Sequence, residues 1–249
     1  MLDNIHRTSY KVRISDADKN GTLKCNGLLQ MLQEAATEHA TILGVDFKAL
    51  KPLNLGWAVS KFVINITRLP QWGERINVTT WASDKDKVAT YREFVVTDSS
   101  GIELVSARSQ WVLFDTRERK IARMGKIQDW SRLEKKYANT SEFLPLKPPE
   151  NVVSSAVCAA RNDDIDLNGH VNNAVYLIWA IESLPYNFKG LPNQIRINFL
   201  EEVMPHTDVE VICALDGENS YHALTNRNTN RECARVNILW KQAQTPILS

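Results

Sequence analysis

The sequence predicts an α+β fold made of two similar halves, each a helix set against antiparallel strands. Three observations carry this. A turn-and-helix segment is written twice, residues 13–35 aligning without a gap on residues 161–183. Each copy is followed by four runs with strand character. A proline-rich stretch, "LPLKPPE" at 144–150, separates the halves.

In the repeat, "RISDADKNGTLKCNGLLQMLQEA" lies over "RNDDIDLNGHVNNAVYLIWAIES". Arg13 meets Arg161, and Asp16, Asp18, Asn20 and Gly21 meet Asp164, Asp166, Asn168 and Gly169. Leu29 meets Leu177 and Glu34 meets Glu182. An ungapped cluster of turn residues of this kind reads as a tandem duplication. The first copy runs into "LLQMLQEAATEHATILG", whose apolar residues Leu28, Leu29, Met31, Leu32, Ala35 and Ala36 share one broad helical face that stops at Gly44. Strand-like runs follow: "WAVSKFVINITRL", "RINVTTWAS", "VATYREFVVTD" and "IELVSARSQWVLFDT", rich in Val, Ile, Thr and aromatics and divided by turns such as "DSSG" at 98–101. The second copy gives the helix "NNAVYLIWAIESL", ended by Pro185, and then "NQIRINFLEEV", "DVEVICALD", "NSYHALTNR" and "RECARVNILWKQ". Each half therefore reads as a short strand, a turn, a helix and an antiparallel meander. Between them "KIQDWSRLEKKYA" has a helical pattern. The expected domains are 1–140 and 150–249, with 141–149 as linker.

A chain of 249 residues has room for two domains, and 43% hydrophobic residues suffice for both cores. A net charge of +1 gives no global bias toward nucleic acid or an anionic membrane, and no helix-turn-helix or strongly basic segment points to DNA. Cys25, Cys158, Cys213 and Cys233 lie far apart without a CxxC pair, which argues against a zinc site or a disulfide framework and for free thiols in a reducing compartment. The start "MLDNIHRTSYKVR" lacks the apolar core of a secretory signal, and no run of about 18 apolar residues could span a bilayer. A cytoplasmic protein is the expectation.

The duplicated turn invites three readings. A calcium loop of this Asp-x-Asp-x-Asn-Gly frame needs a bidentate Glu at its twelfth position, where this chain has Gly27 and Val175. Both copies lack the ligand that closes the site, so no metal is expected. A structural turn accounts for the shared residues: Asp and Asn bind nearby backbone amides, and Gly supplies the unusual backbone angle. The second copy differs chemically. Where the first has Thr22, Lys24 and Cys25, it has His170, Asn172 and Asn173. His170 can carry a proton near neutral pH, Asn168 and Asn172 can donate hydrogen bonds, and the helix amides that begin there could hold an oxyanion. A histidine in a polar turn at a helix start, on one copy only, marks a candidate active site.

"NDDIDLNGHVNNAVYLIWAIES" resembles the active-site segment of the acyl-acyl carrier protein thioesterases, whose plant members carry D-x-D-x-N-x-H-V-N-N before the central helix of their C-terminal hotdog domain. The likeness runs over nearly the whole chain, including "LQEAATEHATILG" and "GWAVSKFVINITRLPQWGE". It implies two tandem hotdog domains, each an antiparallel sheet wrapped around a central helix, packed as a pseudo-dimer, with the substrate pocket in the first and catalysis in the second. The family's catalytic Asp, Asn and His fall on Asp166, Asn168 and His170. Its glutamate, on the strand after the helix, falls on Glu202 in "INFLEEV". Val203 stands where plant members have cysteine, so no mechanism using that thiol as nucleophile can operate here. No plastid transit peptide is evident, as in a bacterial member.

The resemblance implies hydrolysis of fatty acyl-acyl carrier protein, without a cofactor. Two schemes fit. Glu202 with His170 deprotonates water while Asn168 fixes the geometry, or Asp166 acts as nucleophile or base with His170 assisting. Within that fold Leu28, Met31, Leu32, Trp57 and Phe62 would line the acyl tunnel; each reads equally well as plain core. The partner would be acyl carrier protein bearing a phosphopantetheine-linked chain. Basic residues in "RERKIARMGK", notably Arg119, Lys120 and Arg123, and in "RLEKKY" are candidates for docking it. Neither nucleic acid nor membrane is an expected partner, and pairing into a homodimer is left open. The rivals are an acyl-CoA thioesterase, a non-catalytic fatty-acyl binding or regulatory module, and a dehydratase on the same architecture.

Overall fold

The computed structural model describes residues 4–127 and 133–241. The chain divides into two compact units, Met1–Phe143 and Leu144–Ser249.

The first unit opens with β1 (Ile5–Lys11) and a 3-10 turn at Ile14–Asp16, then α1 (Cys25–Ile42), a short α2 (Phe47–Leu50), β2 (Leu55–Ile66), β3 (Arg75–Lys85), β4 (Ala89–Asp98), β5 (Glu103–Asp115) and a two-residue β6 (Lys120–Ile121). Among the described residues the second repeats the plan without counterparts of α2 and β6: β7 (Ser154–Ala159), a 3-10 turn at Asn162–Asp164, α3 (Asn173–Glu182), β8 (Leu191–Phe199), β9 (Asp208–Asp216), β10 (Asn219–Asn226) and β11 (Arg231–Lys241).

The apolar stripe of α1 buries Leu28, Leu29, Leu32, Ala35, Ala36 and His39, spaced so that successive turns present the same face to β1 and β3. Each buried leucine is worth about 1.5–3 kcal/mol of transfer energy, and Leu32→Ala would cost about 2–5 kcal/mol through the void it leaves. The helix stops where Gly44 takes a left-handed φ of 71° and the Val45 amide reaches back to the Ala40 carbonyl. On α3 the Asn172 side chain caps the start by accepting the Ala174 amide at 2.9 Å, and Pro185 follows the end.

Both sheets are antiparallel and share one strand order, β1-β3-β4-β5-β2 in the first unit and β7-β9-β10-β11-β8 in the second. The expected simple meander is therefore only partly realised. β3–β4–β5 and β9–β10–β11 are sequential neighbours, but the strand directly after each helix pairs with the last strand. The cause lies in the crossover segments 67–74 and 200–207. The first is held on the helix-start turn by Leu23 N–H to Pro70 O (2.8 Å) and Trp72 N–H to Gly21 O (2.7 Å), then enters beside β1 through Val12 N–H to Glu74 O. The second is held by Val171 N–H to Val203 O and enters beside β7 through Ala160 N–H to Thr207 O, both 2.9 Å.

A bulge at Ser60 resets the side-chain alternation of β2, so that Trp57 and Val59, as well as Phe62 and Ile64, sit across from alternate residues of one face of β5. Phe62 stacks on Phe94 with centroids 5.8 Å apart. The opposite face of this sheet is strapped by residues 133–143. There the Glu134 amide donates to Ala82 O, Trp81 Nε1 to Lys136 O and Arg108 Nη1 to Ser141 O. Glu93 is fully buried beneath it, paired with Arg108 Nε at 3.0 Å and with the Ser83 hydroxyl. This corrects the helical reading of 126–138. Lys126 ends a 3-10 turn, residues 128–132 lie outside the described residues, and 133–138 run irregularly because their backbone groups are spent on the sheet.

Candidate active site

The second duplicated turn is built by its own side chains. Asp164 accepts the Arg161 amide at 2.8 Å and pairs with the Arg161 guanidinium at 3.3 Å, closing the 3-10 turn. The Asp164 carbonyl then accepts the Asn172 amide, which sets the first turn of α3. Between these anchors, Asp166 N–H meets His170 O at 2.8 Å and Gly169 N–H meets Asp166 O at 3.0 Å; Gly169 has φ of 82°, a conformation that costs side-chain-bearing residues strain. Asp166 Oδ1 accepts the Asn168 amide at 2.8 Å, and its other oxygen accepts Asn168 Nδ2 at 3.3 Å. The two aspartates thus serve separate turns and do not converge as calcium ligands would.

Glu202 reaches this turn through the crossover segment. The structure differs here from the sequence expectation, which put Glu202 on a strand. β8 ends at Phe199, because the Leu200 and Glu201 amides both converge on the Cys233 carbonyl and the ladder breaks. The chain then bends toward α3. Tyr176, one turn into that helix, clamps it: Tyr176 Oη accepts the Val203 amide at 3.0 Å and donates to the Glu201 carbonyl at 3.3 Å. Burial, and next the nearby Cys233 thiol, hold this phenol well above its ordinary range, so it stays a neutral bridge. Pinned on both sides, Glu202 places Oε1 3.5 Å from His170 Nδ1. The His170 side chain is 24% exposed and that of Glu202 39%, so the pair is open to a substrate.

His170, Glu202 and the Asp166–Asn168 turn are thus brought together. Within the turn, Asp166 bonds with Asn168, while His170 pairs with Glu202. The expected row of free helix amides is largely absent. Asn172 N–H, Ala174 N–H and Val175 N–H are spent on Asp164 O, Asn172 Oδ1 and Asn172 O. Among the described residues, the amides of His170 and Asn173 give their protons to no acceptor. Val203 is fully buried at the position of the plant cysteine, and burial pushes the Cys25 and Cys233 thiols up to about 12. Tyr176 was missed in the sequence. Its only signal is an isolated phenol on an otherwise apolar helix, where Leu28 stands in the first copy.

Of the candidate tunnel residues, Leu28, Met31 and Leu32 lie buried on α1 and Phe62 is buried on β2. Trp57 is half-buried, donates to Val45 O at 2.8 Å and packs on a second apolar cluster of Leu50, Leu55, Leu113, Ala122, Met124 and Ile127. Arg119, Lys120 and Arg123 are exposed around β6, with Lys120 paired to Glu118 at 2.6 Å. Arg132 of the second basic run lies outside the described residues. Among the described residues no helix is long and apolar enough to cross a membrane.

Residues 3–127 match the family model of the acyl-ACP thioesterase N-terminal domain, and residues 149–242 that of the C-terminal domain. A chloroplastic palmitoyl-acyl carrier protein thioesterase of Gossypium hirsutum is 30% identical over 194 residues, covering 71% of this chain and 46% of that protein. A chloroplastic oleoyl-acyl carrier protein thioesterase of Arabidopsis thaliana is 26% identical over 201 residues, 72% of this chain and 55% of that protein. The chain spans about half the length of the curated relatives it matches. Two solved structures share the fold at a TM-score of 0.86. One is an acyl-ACP thioesterase from Bacteroides thetaiotaomicron (22% identical, covering 96% of this chain and 98% of that one). The other is a 12:0-ACP thioesterase from Umbellularia californica (19% identical, 98% and 99%). The architecture is that of tandem hotdog domains.

Proposed function

This chain belongs to the acyl-ACP thioesterase family, and from that premise we propose that it hydrolyses the thioester of a fatty acyl chain carried on acyl carrier protein. The products are a free fatty acid and the carrier thiol, and the reaction ends chain elongation in the cytoplasm. The observation that carries this reading is the His170 Nδ1–Glu202 Oε1 approach of 3.5 Å at an open turn.

Glu202 accepts the Nδ1 proton of His170 and orients the ring, which leaves Nε2 to take a proton from water. The water oxygen attacks the thioester carbonyl carbon. The negative charge that develops on the carbonyl oxygen is met by the free amides of His170 and Asn173. As the tetrahedral intermediate collapses, the carbon–sulfur bond breaks and the imidazolium returns its proton to the departing thiolate. Asp166 and Asn168 hold the turn that aims His170. This favours the water-activating scheme over one in which Asp166 attacks, because both Asp166 oxygens are committed to Asn168. The matched N-terminal unit supplies the acyl pocket, lined by Leu28, Met31, Leu32, Phe62 and Trp57, and Arg119, Lys120 and Arg123 offer an acidic carrier protein a cationic landing.

Thiol release from a series of acyl-acyl carrier proteins, beside matching acyl-CoA esters, tests the reading. Faster release from the carrier-bound series is expected. Release from CoA esters alone would move the substrate to CoA, and a retained fatty acyl ligand with no release would leave a binding module.

A further inference from the structure

The two segments that carry His170 and Glu202 expose three large apolar side chains. Leu167, at the tip of the turn, is 95% exposed; Leu200 and Met204, two residues either side of Glu202, are 56% and 51% exposed. A single exposed leucine needs no explanation, but three on the two segments that build one polar pair do. Their backbone is fixed. Asp166 N–H to His170 O and Gly169 N–H to Asp166 O close the turn around Leu167. The Leu200 amide is held by the Cys233 carbonyl at 2.9 Å, and the Val203 amide, just before Met204, by Tyr176 Oη. Apolar anchors held in place before binding cost little to order.

The first unit shows that the scaffold does not require them. The ungapped alignment of the turns sets Leu167 on Lys19. Leu23 N–H to Pro70 O and Val171 N–H to Val203 O make Pro70 and Val203 equivalent, and Glu74 and Thr207 follow at the same offset. Leu200, Glu202 and Met204 therefore fall on Thr67, Leu69 and Gln71. Polarity is inverted at all four positions. The carboxylate stands in place of a leucine, and the apolar residues beside it stand in place of a lysine, a threonine and a glutamine, all exposed. Ile14 and Trp72, which the first unit exposes at its own turn, fall elsewhere, on Asn162 and Pro205.

A thioester held at His170 has its acyl chain on one side of the reacting carbon and its carrier arm on the other. A fatty chain needs enclosure, and side chains this open do not enclose one. Residues 161–170 and 200–207 also hold Asp163, Asp164, Asp166, Glu201 and Glu202 against a single arginine and no lysine, a charge that repels an acidic carrier surface. The pantetheine arm suits both conditions. It is uncharged between its thiol and its phosphate, it crosses open surface on its way to the carrier, and it bears two methyl groups on one carbon. We propose that Leu167, Leu200 and Met204 grip this arm and thereby set how the thioester is presented to His170. This rests on the thioesterase reading and deepens it.

The test compares two thioesters of one acyl chain, on pantetheine and on N-acetylcysteamine, which lacks the dimethyl carbon. Wild type is expected to give kcat/KM about 10-fold higher for the pantetheine ester, as fits burial of two methyl groups. A triple variant, Leu167→Gln, Leu200→Thr and Met204→Gln, places polar residues at exposed positions where the first unit already carries them, so folding should be kept. It should lose the advantage through KM and leave the N-acetylcysteamine ester within about twofold of wild type. Equal use of the two esters by wild type, or an advantage that survives in the variant, overturns the proposal. Slower turnover of carrier-bound substrate with the pantetheine ester untouched would assign the patch to the carrier's surface and overturn it too, as would a dimer in wild type that the variant dissociates. Calorimetry with an S-alkyl pantetheine thioether, which cannot be hydrolysed, reads the grip without turnover. Weaker binding by the variant, with no thiol release from any thioester, would sink the hydrolase reading and leave the grip standing. Equal binding by wild type and variant would sink the grip alone.

Discussion

The two helix-start turns are nearly superimposable in their bonding and opposite in their chemistry. In the first, Asp18 Oδ1 accepts both the Asn20 and the Thr22 amides, at 2.8 and 2.9 Å, and the Thr22 hydroxyl accepts Gln71 Nε2 at 3.2 Å. In the second, Asp166 turns its second oxygen to the Asn168 amide group, the residue 170 amide is released, and His170 faces Glu202. Each crossover segment docks on its turn through a matching backbone bond, Leu23 N–H to Pro70 O and Val171 N–H to Val203 O, to which the first unit adds Trp72 N–H to Gly21 O. One scaffold brings together an amide and a hydroxyl in one unit and an imidazole and a carboxylate in the other. The fold supplies proximity in both units, and under the proposed hydrolysis the residue types at two positions decide which turn can use it.

The largest expected effect separates the turns by activity. His170→Ala and Glu202→Ala should each lower kcat on the order of 10²–10⁴-fold in thiol-release assays, while Thr22→Ala and Gln71→Ala stay within about twofold of wild type. Equal losses at both turns would dissolve the distinction.

The interiors of the units differ in a second way that pH reads. Burial pushes His222 down to about 4 from 6.5. Between these values the unfolded chain binds a proton that the folded one refuses, so stability is full above pH 6.5 and falls as pH drops toward 4. The loss attributable to His222 is roughly 3 kcal/mol. Denaturant titrations across this window should show that slope, and His222→Asn should flatten it.

A smaller effect sharpens the role of the clamp. Tyr176→Phe strands the Val203 amide, which should cost about 1–3 kcal/mol of stability. It should also lower kcat by about tenfold with little change in KM, because Glu202 loses its aim while the acyl pocket is untouched. Asp18→Ala, at the inert turn, should cost about 1 kcal/mol in a thermal melt without a kinetic effect, whereas Asp166→Ala should slow turnover as well. Last, charge reversal at Arg119, Lys120 and Arg123 should raise KM a few-fold for carrier-bound substrate at low salt and vanish at high salt.

Much of this was legible in the sequence because the informative residues are local. Asp16, Asp18, Asn20 and Gly21 declare a turn, since their side chains bond to amides two to four residues away. The second set, Asp164 to His170, declares the same turn with a histidine added. The strands followed from β-branched runs between turn residues. Strand order was not legible, because the crossover that separates β2 from β3 is fixed by long-range backbone bonds to residues 12, 21 and 23. The helical pattern of residues 133–138 failed for a similar reason: their backbone groups find partners on β3 and β4 that no local pattern encodes. Glu202 could be named from the resemblance, but its presentation depends on Tyr176, 26 positions earlier in the chain, and on the Cys233 carbonyl.

The central claim is that the His170–Glu202 pair, and not the turn that carries it, performs the chemistry. Single-turnover thiol release from acyl-acyl carrier protein, compared between wild type and Glu202→Gln, tests it most directly. Gln keeps the volume of Glu202 while removing the carboxylate that orients and charges the imidazole. The account expects binding to persist and the chemical step to slow by at least about 10²-fold. A chemical step at the wild-type rate would contradict it.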